Sequence, residues 1–261
     1  MPRQVRLFLV LTFTLTWICW WCLALLSGRG IIETGDLLYW VLLIAGGSSP
    51  TIFAYVAVAL CKEEKLSDLN QRVFKFKVAL PYYIFAVFVP VVIAFSSQFF
   101  LFLTHGNWML NLPSNWFLLV VPLFLSSVFL GGIEEVGWRG LLQQGLDRRW
   151  PLLLLNLFIG VVWALWHLPF FYIPGMSHFG SSFLVFLVSC IGYSGFLTWL
   201  YYLTRSVVLT VIFHAMINAS AALGIGIPLA EGMPYLVNAI LMIVISTIML
   251  LVSTGQKKLA K

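Results

Sequence analysis

The sequence predicts an all-α, polytopic membrane bundle of about eight transmembrane helices, and three observations carry that prediction. Hydrophobic residues make up 61% of the 261-residue chain and charged ones only 9%, with a mean hydropathy of +1.00, far from the make-up of a soluble globular domain. The apolar residues fall into stretches of about 20 or more, the length a helix needs to cross a hydrocarbon core of about 30 Å. Short segments of alternating polarity, which a transmembrane barrel would need, do not occur, so helices satisfy the backbone inside the bilayer. Residues 1–261 are read as one transmembrane domain, with no room between spans for a separate soluble one.

The first stretch, 7–27, follows Arg3 and Arg6 as a signal peptide would. Its apolar run of about 20 residues exceeds the roughly 7–15 of a cleaved signal, and Ser27-Gly28-Arg29 is a poor cleavage site, so it is read as a retained span. Stretches 38–61 and 78–104 follow. The fourth, 116–146, is long for one span, so its polar end bends or projects into the cytoplasm. In 152–173, Pro169 cannot donate a backbone hydrogen bond and kinks or ends the helix. Stretches 181–203, 206–226 and 234–254 complete the set.

Every Lys and Arg except Arg29 and Arg139 lies before the first span or after the second, fourth, sixth or eighth, which predicts both termini in the cytoplasm. The net charge of +6 is thereby a topology signal, and no basic stripe remains for nucleic acid; the partner it implies is the lipid bilayer. Lys62, Lys65, Arg72, Lys75 and Lys77, interrupted by Glu63, Glu64 and Asp68, read as a solvated loop touching anionic headgroups. Cys19, Cys22, Cys61 and Cys190 lie within or at the ends of spans without metal-ligand spacing and read as apolar packing residues. The sequence contains no internal repeat, low-complexity tract or phosphate-binding loop.

Against this background a few polar residues stand out. An ionisable group at mid-membrane costs about 2.5–3.5 kcal/mol on insertion scales, so a set of them retained there marks a functional site. In Gly131-Gly132-Ile133-Glu134-Glu135-Val136-Gly137-Trp138-Arg139-Gly140, Glu135 and Arg139 are four apart on one helical face and close enough to pair, while Glu134 points about 100° away. One acid can be neutralised structurally while the other stays available as a general base towards water. An ion pair that only holds helices together would account for Glu135 and Arg139 and leave Glu134 unexplained.

His167, in Trp163-Ala164-Leu165-Trp166-His167, reads alone as a packed histidine between tryptophans or as a catalytic one. His214 and Asn218 share a helical face, as either an interhelical clamp or a pair of site donors. With a rise of about 1.5 Å per residue, Glu134, His167 and His214 fall roughly 18, 24 and 14 Å from the cytoplasmic ends of their spans, depths that let all three meet near mid-membrane.

In order and approximate spacing these residues resemble the CPBP intramembrane proteases, which include the type II CAAX prenyl endopeptidases and bacteriocin-processing or self-immunity proteins. The family pattern of two glutamates and an arginine, an aromatic and a histidine, then a histidine and an asparagine reads here as Glu134-Glu135 with Arg139, Trp163 with His167, and His214 with Asn218, all within 134–218. Phenylalanine is usual at the place of Trp163, whose ring is read as packing only. The resemblance implies hydrolysis of a peptide bond within or beside the membrane. Glu134 would activate water with help from His167, His214 and Asn218 would stabilise the oxyanion, and Glu135 and Arg139 would organise the site.

Cofactor need stays open at this level. Glu134, His167 and His214 form a recognised zinc set, with water in the fourth position, yet the same groups suffice for hydrolysis without metal, and no His-Glu-x-x-His helix is present. The reading leans to no obligatory metal, with zinc as the alternative. A non-proteolytic bacteriocin-immunity protein and a transporter are the other classes, although the chain lacks the repeated halves common in transporters. The expected partner is a peptide or membrane-protein substrate, and the best-known relatives accept prenylated C-terminal peptides. The compact chain without long loops points to a prokaryotic plasma membrane.

Overall fold

In a computed structural model the chain is helical throughout its ordered elements. The structure describes all residues except 109, 111, 148, 227, 228, 230, 231, 260 and 261, and the backbone alone of 255–259. Of the basic residues that set the predicted orientation, Arg148, Lys257, Lys258 and Lys261 lie outside the described side chains. The order is α1 (Arg3–Gly28), α2 (Leu37–Cys61), α3 (Leu66–Val73), α4 (Leu80–His105) and α5 (Trp116–Leu130), followed by a 3-10 turn (Gly132–Glu134) and a π-helical segment (Val136–Gln143). The short turn α6 (Gln144–Leu146) leads to α7 (Leu152–Trp166), a second 3-10 segment (Leu168–Tyr172), α8 (Phe183–Thr204), α9 (Val207–Ala222) and α10 (Met233–Leu259).

Among the described residues, seven helical stretches are long and apolar enough to cross a membrane. The chain is an all-helical, multi-pass integral membrane protein. The expected seventh span is the exception: 206–226 contains only the shorter apolar helix Val207–Ala222, about 24 Å long at 1.5 Å per residue. It stops because Gly224 turns left-handed, with φ +74°, and its amide bonds Ala221. A short helix suffices here because α9 lies against α4, α5 and α8.

Polarity is distributed inside out, as lipid demands. Phe88, Val92, Phe129, Leu184 and Ile248 face outward, while Thr16, Ser49, Gln98, Ser194 and Thr198 are buried within the bundle. Small residues let helix backbones approach: a Cβ on Gly160 of α7 would meet Ile191 Cα of α8 at 2.7 Å, and one on Gly192 of α8 would meet Met242 of α10 at 2.8 Å. Pro50 inside α2 leaves Gly46 without its helical donor, and Thr16 of α1 supplies one, its hydroxyl donating to Gly46 O at 2.9 Å. Trp166 Nε1 in turn donates to Thr16 Oγ1 at 2.8 Å, so a proline in α2 indirectly anchors the end of α7 where His167 sits.

One end of the bundle gathers the charged connections. The Arg3 amide donates to Glu63, Lys75 Nζ donates to Thr204 O at 2.8 Å, and Arg205 pairs with Asp147. The basic segment 62–77, expected as a solvated loop, contains α3 instead. Leu69 is fully buried, and Arg72 bridges Glu64 at 2.7 Å and Gly140 O at 3.2 Å, docking α3 beneath the π-helical segment. The four cysteines are free thiols.

Candidate active site

The stretch 116–146 does not bend smoothly; it breaks at its glycines. Gly131 ends α5, its amide donating to Ser127 O at 3.1 Å, and the next three residues form a 3-10 turn before the π-helical segment begins. A break inside a bilayer exposes backbone groups that need partners. Thr51 of α2 supplies one, its hydroxyl donating to Ile133 O at 2.6 Å. Gly132 and Gly137 bring the broken segment against its neighbours: a Cβ on Gly132 would lie 3.0 Å from Val211 O of α9, and one on Gly137 would lie 2.6 Å from Pro50 O of α2. The irregular backbone is thereby enclosed by protein, and the two glutamates sit on it.

Glu135 and Arg139 pair as their spacing predicts, Arg139 Nη1 lying 2.9 Å from Glu135 Oε2, with both side chains fully buried. Glu135 also accepts from His214 Nδ1 of α9 at 2.9 Å, and Arg139 Nη2 donates to Ser194 Oγ of α8 at 3.1 Å. This carboxylate sits between two nitrogen donors and ties three parts of the bundle together. Because an ionised carboxylate only accepts, Nδ1 carries the hydrogen of that bond, and His214 Nε2 is the nitrogen left to serve a substrate. It faces Gly131: a Cβ there would lie 3.4 Å from His214 Nε2 and 2.3 Å from Asn218 Nδ2. The two polar groups of α9 thus converge over a residue without a side chain.

Glu134 takes the other direction. Its Oε2 accepts from Trp163 Nε1 at 3.1 Å and, more weakly, from Trp138 Nε1 at 3.4 Å, and the residue is 4% exposed. Trp163 therefore does more than pack, contrary to the sequence reading, which weighed its ring and not its N–H. His167 Nδ1 donates to the Trp163 carbonyl at 2.9 Å, one turn back at the end of α7, so Nε2 is left as an acceptor. The Trp163 ring lies 5.7 Å from the His167 ring and 5.2 Å from the His214 ring, and the Arg139 guanidinium sits 5.8 Å from its centroid. All six predicted residues are therefore brought to one region, with Trp163 among them.

Sequence reasoning did not reach His178. It belongs to no span and no motif, yet the connection from the second 3-10 segment to α8 brings its ring to 6.2 Å from His167, stacked at 20°, with Phe170, Phe171 and Phe186 around it. Burial in that aromatic surround lowers its pKa to about 4, so the ring is neutral near pH 7. Zinc was the alternative for Glu134, His167 and His214. Among the described residues no group of three or more His, Cys, Asp or Glu is arranged to hold a metal ion.

Comparison with known proteins finds likenesses over the stretch that holds the site. Residues 113–220, which contain all six polar residues and Trp163, match the family described as type II CAAX prenyl endopeptidase Rce1-like. The chain is also similar to a CAAX prenyl protease 2 of Methanococcus maripaludis, 27% identical over 236 residues that cover 84% of each protein. These likenesses favour an intramembrane endopeptidase over an immunity factor or a transporter.

Proposed function

We propose, from the premise that the chain belongs to the Rce1-like intramembrane proteases, that Glu134 is the base that activates the attacking water and that His214 and Asn218 are the oxyanion donors. The observation that carries this division of labour is that the two adjacent glutamates have different partners. Glu135 is committed to Arg139 and His214, whereas among the described residues Glu134 accepts through Oε2 alone, from indole N–H groups, leaving Oε1 to take a proton. Water gives that proton to Glu134, assisted by His167 Nε2, and adds to the scissile carbonyl. The oxyanion that forms accepts from Asn218 Nδ2 and from His214 Nε2, the ring being doubly protonated against Glu135. Collapse of the tetrahedral intermediate breaks the C–N bond, and Glu134 returns its proton to the departing amine. Preorganised donors of this kind are worth about 2.7–4 kcal/mol each in a dry site.

The substrate carbonyl is then proposed to lie beside Gly131, where Asn218 Nδ2 and His214 Nε2 converge. Gly131→Ala is expected to lower kcat about 10²–10³-fold, the effect of losing an oxyanion donor, because the new methyl forces the Asn218 amide aside. Melting temperature should stay close to that of the wild type. Unchanged turnover would place the reacting carbonyl elsewhere.

The substrate proposed is a membrane-associated peptide carrying an isoprenoid near its C terminus. An apolar cavity of about 290 Å³ between α4, α5 and α9 supports this reading; Phe95, Trp116, Phe124 and Leu223 line it, together with Met216 and Ala219, which flank Asn218 in the chain. Both termini are proposed to face the cytoplasm of a prokaryotic cell, with α3 at the headgroups; the gathering of Arg3, Lys75, Asp147 and Arg205 at one end supports a shared side for these segments. The test is cleavage of a quenched fluorescent CAAX peptide by detergent-purified protein, with and without its farnesyl group and with and without chelator. Faster cleavage of the farnesylated peptide, insensitive to chelator, is expected. Equal rates for both peptides would remove the prenyl group from recognition, and loss with chelator restored by zinc would move water activation to a metal.

A further inference from the structure

The ring of Trp163 is 5% exposed, and its contacts are unlike those of a packing aromatic. Its indole N–H reaches Glu134 Oε2 at 3.1 Å, its ring lies T-shaped to the rings of His167 and His214, and its own carbonyl accepts from His167 Nδ1 at 2.9 Å. Rotation about the terminal torsion of a glutamate is soft, with broad wells in place of sharp staggered ones, so packing along the side chain does not decide which oxygen points where. A buried carboxylate also needs donors to remain there as an ion. The second indole, Trp138, is at 3.4 Å, near the outer limit of a hydrogen bond, so the stronger restraint on the carboxylate is that of Trp163.

We propose that Trp163 is a positioning residue for the hydrolysis: its indole N–H holds Oε2 of Glu134, turning Oε1 to the attacking water, while its carbonyl sets His167 with Nε2 presented to the same water. The inference rests on Glu134 as the base. It separates the residue's two functions, since the backbone carbonyl bond to His167 survives any substitution at 163 that keeps the helix, and only the side-chain N–H bond to Glu134 is removed when the ring loses its nitrogen. A phenylalanine at this place would fill much of the same space and donate nothing.

The experiment replaces Trp163 by 3-benzothienylalanine, which keeps the bicyclic shape and substitutes sulfur for the N–H, alongside Trp163→Phe and Glu134→Gln, in the full-length protein. The assay is the CAAX-peptide cleavage described above. A hydrogen bond to a charged group corresponds to about tenfold to hundredfold in rate. Both Trp163 variants are expected to lose that much in kcat with KM unchanged, and the benzothienyl protein is expected to keep the wild-type melting temperature. Wild-type kcat in the benzothienyl protein, with Glu134→Gln inactive, overturns the inference alone and returns Trp163 to packing. Retained cleavage by Glu134→Gln overturns the base reading and the inference with it. If Trp163→Phe lowers the melting temperature, the benzothienyl protein, which preserves shape, decides.

Discussion

Glu134→Gln is expected to lower peptide-bond cleavage about 10²–10⁴-fold, the usual contribution of a positioned general base, while the protein keeps its fold. The substitution is close to isosteric, and the glutamine carbonyl can still accept from Trp163 Nε1, so the hydrogen bond that holds residue 134 has a substitute. What disappears is the capacity to take a proton from water. Turnover with the farnesylated peptide and a thermal melt in the same detergent measure the two quantities separately. A Glu134→Gln protein that cleaves at the wild-type rate would remove residue 134 from the chemistry. A protein that loses cleavage and melting temperature together would make it a structural acid instead.

Arg139→Met is expected to have the largest effect on stability. Arg139 and Glu135 are both fully buried and lie 2.9 Å apart, and removing one member of such a pair leaves the other as an uncompensated charge, at a cost of about 3–5 kcal/mol. Glu135 would retain only His214, and Ser194 would lose the donor that links α8 to the site. The double substitution Glu135→Leu with Arg139→Met should recover much of that stability, because two apolar side chains leave no buried charge. It should not recover cleavage, since His214 Nδ1 then has no carboxylate to orient it. Denaturation of single and double variants, each assayed for cleavage, checks both statements. A single variant as stable as the wild type would mean that the pair contributes nothing net. Recovered cleavage in the double variant would show that His214 needs no such partner.

These outcomes bear on how far the chain could be read without coordinates. The membrane class was legible because composition and stretch length act through the bilayer, whose thickness is the same for every helix. The Glu135–Arg139 pair was legible because neighbours four apart meet on any helical turn, and they still meet although the segment is π-helical rather than α-helical. The endopeptidase reading, drawn from three short patterns in order, agrees with the family match over 113–220. Within 206–226 the helix is shorter than the apolar stretch, because hydropathy is blind to the left-handed Gly224 beyond its end. The docking of α3 was hidden because Ser67, Asp68, Asn70, Gln71 and Arg72 make the helix polar and the segment around it is charged, and one buried leucine with one arginine bond to Gly140 O outweighs that average.

By itself, then, the sequence determined an all-helical membrane bundle, the residues too costly to keep in lipid without a purpose, and the pairs that local helix geometry imposes. Tertiary structure alone decided which distant groups reach the two acids and the broken backbone between the helices. His214 reaches Glu135 across 79 residues, Thr51 reaches Ile133 across 82, and Trp163 reaches Glu134 across 29. Such choices depend on how glycines at 131, 132 and 137 let a broken segment settle against α2 and α9, a matter of side-chain volume at close approach. Volume at a contact is a property of two distant stretches together, and neither stretch carries it alone.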